Sequence, residues 1–195
     1  KLRGYERMET VIGLGKAGCA IADRFAQYPQ YEIYKMDVGL KRTPRTYGPK
    51  PSAAPEGYEK NVGSLKRYFK DVSGDVLFIL SGSGVISGAS LRILEQIKKC
   101  NLHVLYVYSD EELLGETARL QQRVTFNVLQ EYARSGLLEK IILIDNTKLE
   151  QILGELPVIG FYDKLNELVV PTMHMINVLR HSDSVMDNIS PPHQI

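Results

Sequence analysis

Hydrophobic and polar residues follow two patterns along this chain. One pattern predicts strands and the other predicts helices, and the two alternate along the sequence. Short apolar runs predict strands at residues 10–13, 31–36, 75–80, 102–108 and 140–144. Apolar residues that recur every three or four positions predict helices at residues 17–27, 61–70, 89–100, 116–134, 148–153 and 160–180. This order indicates an α/β fold: a Rossmann-like three-layer sandwich with a mostly parallel sheet and helices on both faces.

Some of these elements carry more detailed expectations. The helix at 116–134 has apolar residues at roughly three-to-four spacing, and these are Leu120, Val124, Val128 and Leu129. Gly136 is a normal signal for the end of that helix. Pro171 lies inside the last helix and is expected to kink it or to divide it in two. Residues 38–55 contain four prolines and are predicted to form a long loop.

Composition narrows the functional classes. The chain has 195 residues, of which 44% are hydrophobic, and this suits one globular domain with a sizeable core. Its net charge of +1 predicts no general attraction to nucleic acid or to a membrane surface. No apolar run approaches the roughly 18 residues that span a bilayer. Cys19 and Cys100 have no metal-ligand spacing and fit a reducing, cytoplasmic compartment.

The first strand runs into a glycine-rich turn, GLGKAG at residues 13–18, which opens the first helix. Backbone N–H groups at the start of a helix have no partner within it, and the helix dipole adds partial positive charge there. Glycines allow a phosphate to approach this backbone closely. The turn therefore predicts a nucleotide phosphate site, and the alternative is a tight strand-to-helix turn without a ligand.

A second glycine-rich turn, SGSGVISG at residues 81–88, follows the apolar strand at 75–80. Parallel sheets bind ligands beyond the carboxyl ends of their strands, where both turns and Asp37 are expected to lie. Two such turns suit a mononucleotide whose phosphates are held from two sides. The alternative is that residues 81–88 form a flexible loop that binds nothing.

Asp37 supports a rival hypothesis. It ends the second strand about 20 residues after Gly18, which is the spacing of the ribose-binding acid in dinucleotide-binding folds. The rival is an NAD(P)-dependent Rossmann oxidoreductase that uses the first turn and Asp37. That fold needs only one glycine turn, and the four histidines of the chain form no recognisable ligand set.

Four segments together resemble the tubulin/FtsZ family of GTPases. The first phosphate loop and helix of that family are similar to VIGLGKAGCAIADRF at residues 11–25. Its strand, GGGTGTG signature loop and next helix are similar to DVLFILSGSGVISGASLRILEQI at 75–97, although the signature itself is degenerate. A later strand and turn resemble LLEKIILIDNTKLEQIL at 137–153, and the start of the central helix resembles GFYDKLNELV at 160–169.

The resemblance implies a guanine-nucleotide site, with GTP or GDP as the cofactor and Mg²⁺ as a further candidate. It assigns the phosphates to residues of the two turns: Gly15, Lys16, Ala17, Gly18, Cys19, Gly82, Ser83, Gly84, Val85, Ile86, Ser87 and Gly88. It places Asp37 near the ribose or a Mg²⁺-bound water, and Glu116 and Arg119 near the ribose and base. Asn146 falls on the asparagine of the family's later turn.

The resemblance also implies a base-binding pair on the last helix. Tyr162 would stack on guanine and Asn166 would read its edge. The two residues are one helical turn apart on the same face, and an aromatic plate with a donor–acceptor amide is what a purine site requires. The alternative is that Tyr162 is a core aromatic residue and Asn166 a solvated helix residue.

The expected protein is a divergent, shortened tubulin/FtsZ-like chain, with a nucleotide-binding domain at residues 8–182 and a tail at 183–195. Lys1 is not a natural first residue, so residues 1–7 are interpreted as a remnant that precedes Met8. Head-to-tail association into filaments is expected from the family. Hydrolysis of GTP is expected to be slow or absent because the signature loop is eroded. A third hypothesis is a scaffold that has kept the fold and lost the nucleotide.

Overall fold

The computed structural model describes residues 9–154 and 161–181, so the predicted tail at 183–195 lies outside the described residues. The strands are β1 (Glu9–Leu14), β2 (Tyr31–Met36), β3 (Thr46–Tyr47), β4 (Asp75–Ser81), β5 (Asn101–Tyr108) and β6 (Lys140–Asp145). The helices are α1 (Gly15–Phe25), α2 (Pro55–Asn61), α3 (Ser90–Gln96), α4 (Glu116–Arg134), α5 (Asn146–Leu153) and α6 (Phe161–Arg180). Short 3₁₀ helices occupy Val85–Ala89 and Glu111–Leu113.

All strands of the sheet are parallel to their neighbours, in the order β3-β2-β1-β4-β5-β6. The register places Ile12 of β1 between Tyr34 of β2 and Phe78 of β4. From β1 the chain moves outward to β2 and β3, and it then returns to the other side of β1 as β4. The loops after β1 and β4 therefore leave the same edge of the sheet side by side, at the switch point where open α/β sheets bind ligands.

Alternate residues of the strands face two separate cores. Ile12 and Phe78 belong to a core that includes residues of α2, α3 and α4. Val11 and Leu77 belong to a core on the opposite face, which includes residues of α1 and α6. Because side chains alternate between the faces of a strand, both faces of the sheet are covered. The predicted three-layer α/β sandwich is confirmed.

Close packing of α1 on the sheet depends on glycine at the crossing. A Cβ atom on Gly13 would run into the backbone of Gly18. A Cβ atom on Gly18 would run into the carbonyl group of Ile79 on β4. Two glycines of the first turn therefore allow the helix to pack on the strands.

The helix predicted at residues 61–70 is wrong in position, because α2 occupies Pro55–Asn61. Pro55 stands at the start of α2, where its fixed φ suits a helix and its missing N–H is not needed. The backbone becomes extended at Val62. The N–H group of Leu65 then donates to Oε1 of Gln96 at 2.6 Å, so the chain at this point is bonded to α3.

The predicted apolar face of α4 is only partly buried. Leu120 and Val124 are exposed by 62% and 48%, whereas Gln122 and Thr125 are buried. The side-chain amide of Gln122 donates to the carbonyl of Ser109 at 2.9 Å and accepts from its N–H at 2.8 Å. A polar side chain with satisfied hydrogen bonds is buried at little cost, so α4 turns this polar side toward the sheet.

Helix α6 runs from Phe161 to Arg180 without a break, so the expected division at Pro171 is not observed. Pro171 lies on the exposed side of the helix, as does Glu167 one turn earlier. The carbonyl group that loses its partner at a proline therefore faces solvent here. Of the helices within residues 9–154 and 161–181, none combines the length and the hydropathy of a membrane span.

Candidate ligand-binding site

A cavity of about 430 Å³ opens at the carboxyl ends of β1 and β4. It is bounded by the start of α1, the loops after β4 and β5, and the starts of α5 and α6. Half of the predicted site residues line it: Gly15, Lys16, Ala17, Ser83, Gly84, Ile86, Asn146, Tyr162 and Asn166. Both glycine turns and the predicted base-binding pair therefore border one space, whose volume suits a small-molecule ligand.

The first turn of α1 forms one wall of the cavity. Gly15 opens the helix with a φ of 71°, a conformation that glycine adopts readily. The helix has no side-chain cap, so its first backbone N–H groups are available to a ligand or to solvent. Lys16 and Ala17 are exposed, and Lys16 is the only charged residue among the described residues that line the cavity. This wall can bind an anion.

Three serine hydroxyl groups meet at the ends of β4 and β5. Those of Ser81, Ser83 and Ser109 lie 3.1–3.3 Å from one another, and all three residues line the cavity. The sequence interpretation missed Ser81 and Ser109. Both residues directly follow predicted strands, and this position could have indicated that they lie at the ligand-binding edge of the sheet. Hydroxyl groups both donate and accept, so the cluster can bind polar groups of a ligand.

The starts of α5 and α6 contribute two amides and an aromatic ring. Tyr162 is 64% exposed and lines the cavity, so it is not a core aromatic residue. Asn166 is 7% exposed and lines the same space, so it is not a solvated helix residue either. Asn146 is 3% exposed, and its Oδ1 atom has no hydrogen-bond partner among the described residues. The amides supply donors and acceptors beside an aromatic face.

Three predicted residues of the second turn serve packing and do not line the cavity. A Cβ atom on Gly82 would overlap the hydroxyl group of Tyr106, and one on Gly88 would run into the backbone of Pro55. Ser87 is buried, and its hydroxyl group donates to the carbonyl of Gly82 at 3.0 Å. These contacts hold the turn against β5 and α2.

Gly18 and Cys19 of the first turn also face the protein interior. Gly18 packs on β4, and the thiol of Cys19 donates to the carbonyls of Gly13 at 3.5 Å and Met36 at 3.7 Å. Burial raises the pKa of Cys19 to about 12. The thiol therefore stays protonated and acts as a weak internal donor.

Four more predicted residues lie outside the cavity lining: Val85, Asp37, Glu116 and Arg119. Oδ1 of Asp37 accepts from the next backbone N–H at 2.8 Å. Arg119 donates to the carbonyl groups of Glu111 and Leu114, which precede α4, each at 3.1 Å. Glu116 is exposed in the first turn of α4, and Val85 is exposed beside the cavity residue Ile86. Roles for these four in binding stay predictions.

At the amino ends of the strands, a second group of polar side chains is packed under the end of α6. This amino-end cluster consists of Glu9, Tyr31, Asp75, His103, Asn177, Arg180 and His181. The amide of Asn177 donates to Oε2 of Glu9 at 2.5 Å and to the hydroxyl of Tyr31 at 3.3 Å. Arg180 donates to Nε2 of His103 at 3.2 Å. The cluster therefore ties α6 to β1, β2 and β5.

Burial controls the charges of the amino-end cluster. It raises the pKa of Glu9 to about 7, against the opposing effect of Arg180. It also lowers the pKa of His103 to about 4, and here the charge of Arg180 acts in the same direction. Burial alone would raise the pKa of Asp75, but hydrogen bonds from Asn101 and His181 outweigh it and the pKa is lowered. Near neutral pH, Asp75 is therefore ionised and lies 3.9 Å from Arg180, whereas Glu9 is only partly ionised.

Among residues 9–154 and 161–181, no three His, Cys, Asp or Glu side chains are grouped as metal ligands would be. His103 and His181 belong to the amino-end cluster. His174 stacks on Tyr28 with ring centroids 3.7 Å apart, and its Nδ1 atom lies 3.0 Å from the hydroxyl of Tyr31. Each of these three histidines therefore contacts neighbouring side chains of the folded chain, and the fourth lies outside the described residues.

No family model and no curated protein matches this chain. Solved structures do match. CetZ from Methanosaeta thermophila strain DSM 6194 has a TM-score of 0.70 at 16% identity, covering 91% of this chain and 56% of that structure. A mutant of FtsZ from M. jannaschii has a TM-score of 0.73 at 14% identity, covering 93% and 59%. An FtsZ dimer from M. jannaschii has a TM-score of 0.70 at 15% identity, covering 93% and 57%.

These similarities show that the chain has a tubulin/FtsZ-like fold. Dinucleotide-binding folds share its strand order, so strand order alone does not separate the two hypotheses. The match over more than nine-tenths of the chain does identify the fold. The chain spans between 56% and 59% of the length of these three structures.

Proposed function

We propose that this chain is a tubulin/FtsZ-like protein that binds a guanine nucleotide in the cavity at the ends of β1 and β4. The observation that carries the proposal is that Gly15, Gly84 and Tyr162 border one cavity. They belong to three separate segments, each of which resembles a nucleotide-binding segment of the family. If the glycines served only packing and the tyrosine were only a surface residue, the three segments would have no reason to border the same cavity.

The base is proposed to lie at the start of α6. The exposed ring of Tyr162 offers a face on which a purine stacks. The amide of Asn166 both donates and accepts, as recognition of the guanine edge requires. Asn146 supports the presence of a ligand, since its Oδ1 atom lacks a partner and a ligand N–H or O–H group would supply one.

The phosphates are proposed to lie at the start of α1. The uncapped N–H groups of the first turn and the ammonium group of Lys16 favour an anion there. Ser83 adds a hydroxyl donor from the second turn. Asp37, Glu116 and Arg119 are proposed to contact the parts of the nucleotide that extend past the cavity.

Hydrolysis of GTP is proposed to be weak or absent. Phosphoryl transfer needs a positioned water and a metal that neutralises the phosphates. No carboxylate is among the described residues that line the cavity. Mg²⁺ would therefore be held mainly by the nucleotide and by water, and Asp37 is the protein group proposed to lie near the ribose or such a water.

Association is proposed to follow the head-to-tail pattern of the family, in which unlike faces of successive copies meet and give open filaments. One of the similar structures is a dimer of FtsZ. A pelleting assay with and without GTP measures filament formation by this chain, and a chain that stays monomeric in both conditions contradicts this part of the proposal.

Binding is tested by calorimetry with GDP, GTP, ADP and NAD⁺. A guanine nucleotide is expected to bind with a Kd in the micromolar range, and the other two more weakly. Ala17→Phe is expected to abolish binding, because Ala17 is exposed and lines the cavity. Ala26→Phe is the control, since Ala26 directly follows the other end of the same helix, is exposed and does not line the cavity.

The proposal fails if neither GDP nor GTP binds at about 1 mM, which corresponds to a binding free energy weaker than about −4 kcal/mol. Binding of NAD⁺ in preference to GDP would instead favour the oxidoreductase hypothesis. Loss of binding in both alanine variants would assign the effect to folding and not to the cavity.

A further inference from the structure

Ile86 belongs to the second glycine turn, and its side chain lies between that turn and the first one. Its Cγ2 methyl group lies 2.9 Å from the position that a Cβ atom on Gly15 would occupy, and 3.9 Å from the equivalent position on Gly84. Ile86 also lines the cavity. One methyl group therefore occupies the space on which the two turns converge.

This methyl group is held in place by the turn that carries it. The N–H of Ser87 donates to the carbonyl of Gly84 at 2.9 Å, and the hydroxyl of Ser87 donates to the carbonyl of Gly82 at 3.0 Å. Ile86 itself is half-buried and packs against the core that includes α2, α3 and α4. The side chain is therefore part of the packed structure and has little freedom to move away from a ligand.

A methyl group at this place competes directly with a phosphate. A phosphate oxygen that accepts from a backbone N–H lies about 2.7–3.0 Å from the nitrogen, so a phosphate bound between the two turns would lie close to the Ile86 side chain, which lines the same space. A carbon atom there offers no hydrogen bond and displaces the water that would otherwise solvate the charge. The Ile86 side chain therefore makes the space between the turns narrower and less polar than a smaller polar residue would.

The charge of the cavity leads to the same conclusion. Lys16 is the only cation among the described residues of the lining, and no carboxylate there holds a metal ion that would neutralise further phosphates. Each added phosphate brings roughly one more negative charge, and uncompensated charge in a partly apolar cavity is unfavourable. The cavity suits a short phosphate chain.

We propose that Ile86 is a specificity-determining residue that restricts the room for phosphates between the two turns, so that the site prefers a nucleoside diphosphate to a nucleoside triphosphate. The inference rests on the proposed guanine-nucleotide site and names the form of nucleotide that the site selects.

The experiment compares the Kd values of GMP, GDP and GTP, each with Mg²⁺, for the unchanged chain and for variants at residue 86. The unchanged chain is expected to bind GDP at least about tenfold more tightly than GTP. Ile86→Ala removes the Cγ2 methyl group and is expected to bring the two Kd values within about threefold of each other. Ile86→Val is the matched control, because it keeps a branched Cβ atom and is expected to retain the preference.

A second variant provides an independent test in case Ile86→Ala does not fold. Ile86→Leu keeps the side-chain volume but has no methyl group on Cβ, and it is expected to weaken the preference for GDP as well. The far-ultraviolet circular dichroism spectrum of each variant verifies that it is folded.

Two results overturn the inference, and they are distinguishable. If GTP binds to the unchanged chain as tightly as GDP, or if Ile86→Ala and Ile86→Leu keep the full preference for GDP, the role of Ile86 is refuted while the guanine-nucleotide site stands. If the unchanged chain and all variants bind none of the three nucleotides, the proposed function itself fails, and the inference fails with it.

Discussion

The two ends of α6 are built in opposite ways. Near its start, Tyr162 and Asn166 border an open cavity. Near its end, Asn177 and Arg180 are bonded to side chains of three different strands, Glu9 among them. The start of the helix therefore borders the cavity, and its end uses polar side chains to fix the helix on the sheet.

Two asparagines of α6 make this difference concrete. Asn166 and Asn177 are exposed by only 7% and 1%, and both lie on the face of the helix that meets the sheet. They are separated by three helical turns at 3.6 residues per turn. The amide of Asn177 donates to Glu9 and Tyr31, whereas that of Asn166 faces the cavity. The same residue type thus supports stability at one place and is available for recognition at the other.

The largest effect is expected from Asn177→Leu. It should lower the free energy of unfolding by about 3 kcal/mol, because the buried groups of Glu9 and Tyr31 lose their donor. Asn166→Leu, the matched change at the cavity end, should cost less than about 1 kcal/mol. Urea denaturation of the two variants measures both values. If both variants lost the same free energy of unfolding, the two ends of α6 would contribute equally to stability and the comparison would be wrong.

A second prediction concerns the pH dependence of stability. The pKa of Glu9 is about 7 in the folded chain and 4.5 in the unfolded chain, so between these values the folded state holds more protons. Stability from this group is therefore complete below pH 4.5 and is lost as the pH rises through 7. Glu9→Gln should leave stability nearly unchanged below pH 4.5 and raise it by about 1–3 kcal/mol above pH 7.

His103 provides the contrast to Glu9 in the same cluster. Its pKa is about 4 in the folded chain and 6.5 in the unfolded chain, so its contribution to stability rises with pH across this window. In the unchanged chain, the loss of stability with rising pH that is due to Glu9 opposes the gain that is due to His103. In Glu9→Gln only the gain due to His103 should remain. Denaturation curves at a series of pH values measure both slopes, and a variant whose difference from the unchanged chain does not vary with pH would contradict the assignment.

A third prediction concerns the cavity end alone. Tyr162→Ala should weaken GDP binding about tenfold through loss of stacking, while changing the free energy of unfolding by less than about 0.5 kcal/mol. Met175→Ala is the control, since Met175 is 60% exposed on the same helix and does not line the cavity. Calorimetry and urea denaturation separate the two effects. A large loss of stability with unchanged affinity would assign Tyr162 to the structure.

The smallest effect is expected from Gly84→Ala. Gly84 has a φ of −81°, and the nearest atom to an added Cβ would be 3.9 Å away. Stability should therefore change by less than about 0.5 kcal/mol. The midpoint of thermal unfolding measures it. A clear drop in the midpoint would place Gly84 with the packing glycines, such as Gly82, and remove it from the ligand side of the turn.

The strands and the glycine turns could be predicted from the sequence because they are local features. The apolar run before Ser81 and the small residues after Leu14 are sufficient to place a strand and a turn. The buried side of α4 could not be predicted, because Gln122 is inside only where the backbone of Ser109 meets it. The position of α2 could have been found from Pro55, which is a start signal for a helix.

The site was predictable in part for the same reason. Residues of both turns and of α6 were recognised from their resemblance to a family, and half of the predicted set lines one cavity. Ser109 was missed because no motif marks it. Gly88 was assigned to phosphates, yet it packs against Pro55, a contact between segments that the sequence does not bring together.

By itself, the sequence determined the α/β class, the alternation of strands and helices, and the positions of the two glycine turns. The hydrophobic periodicity of a segment and the backbone freedom of its glycines depend only on neighbouring residues, so a short stretch of sequence is enough to predict them. Only the tertiary structure decided which glycines face the cavity and which pack, where the Ile86 methyl group lies, and that Glu9 is buried against Asn177. Such contacts join segments far apart in the chain, and the packing of whole helices on the sheet sets them.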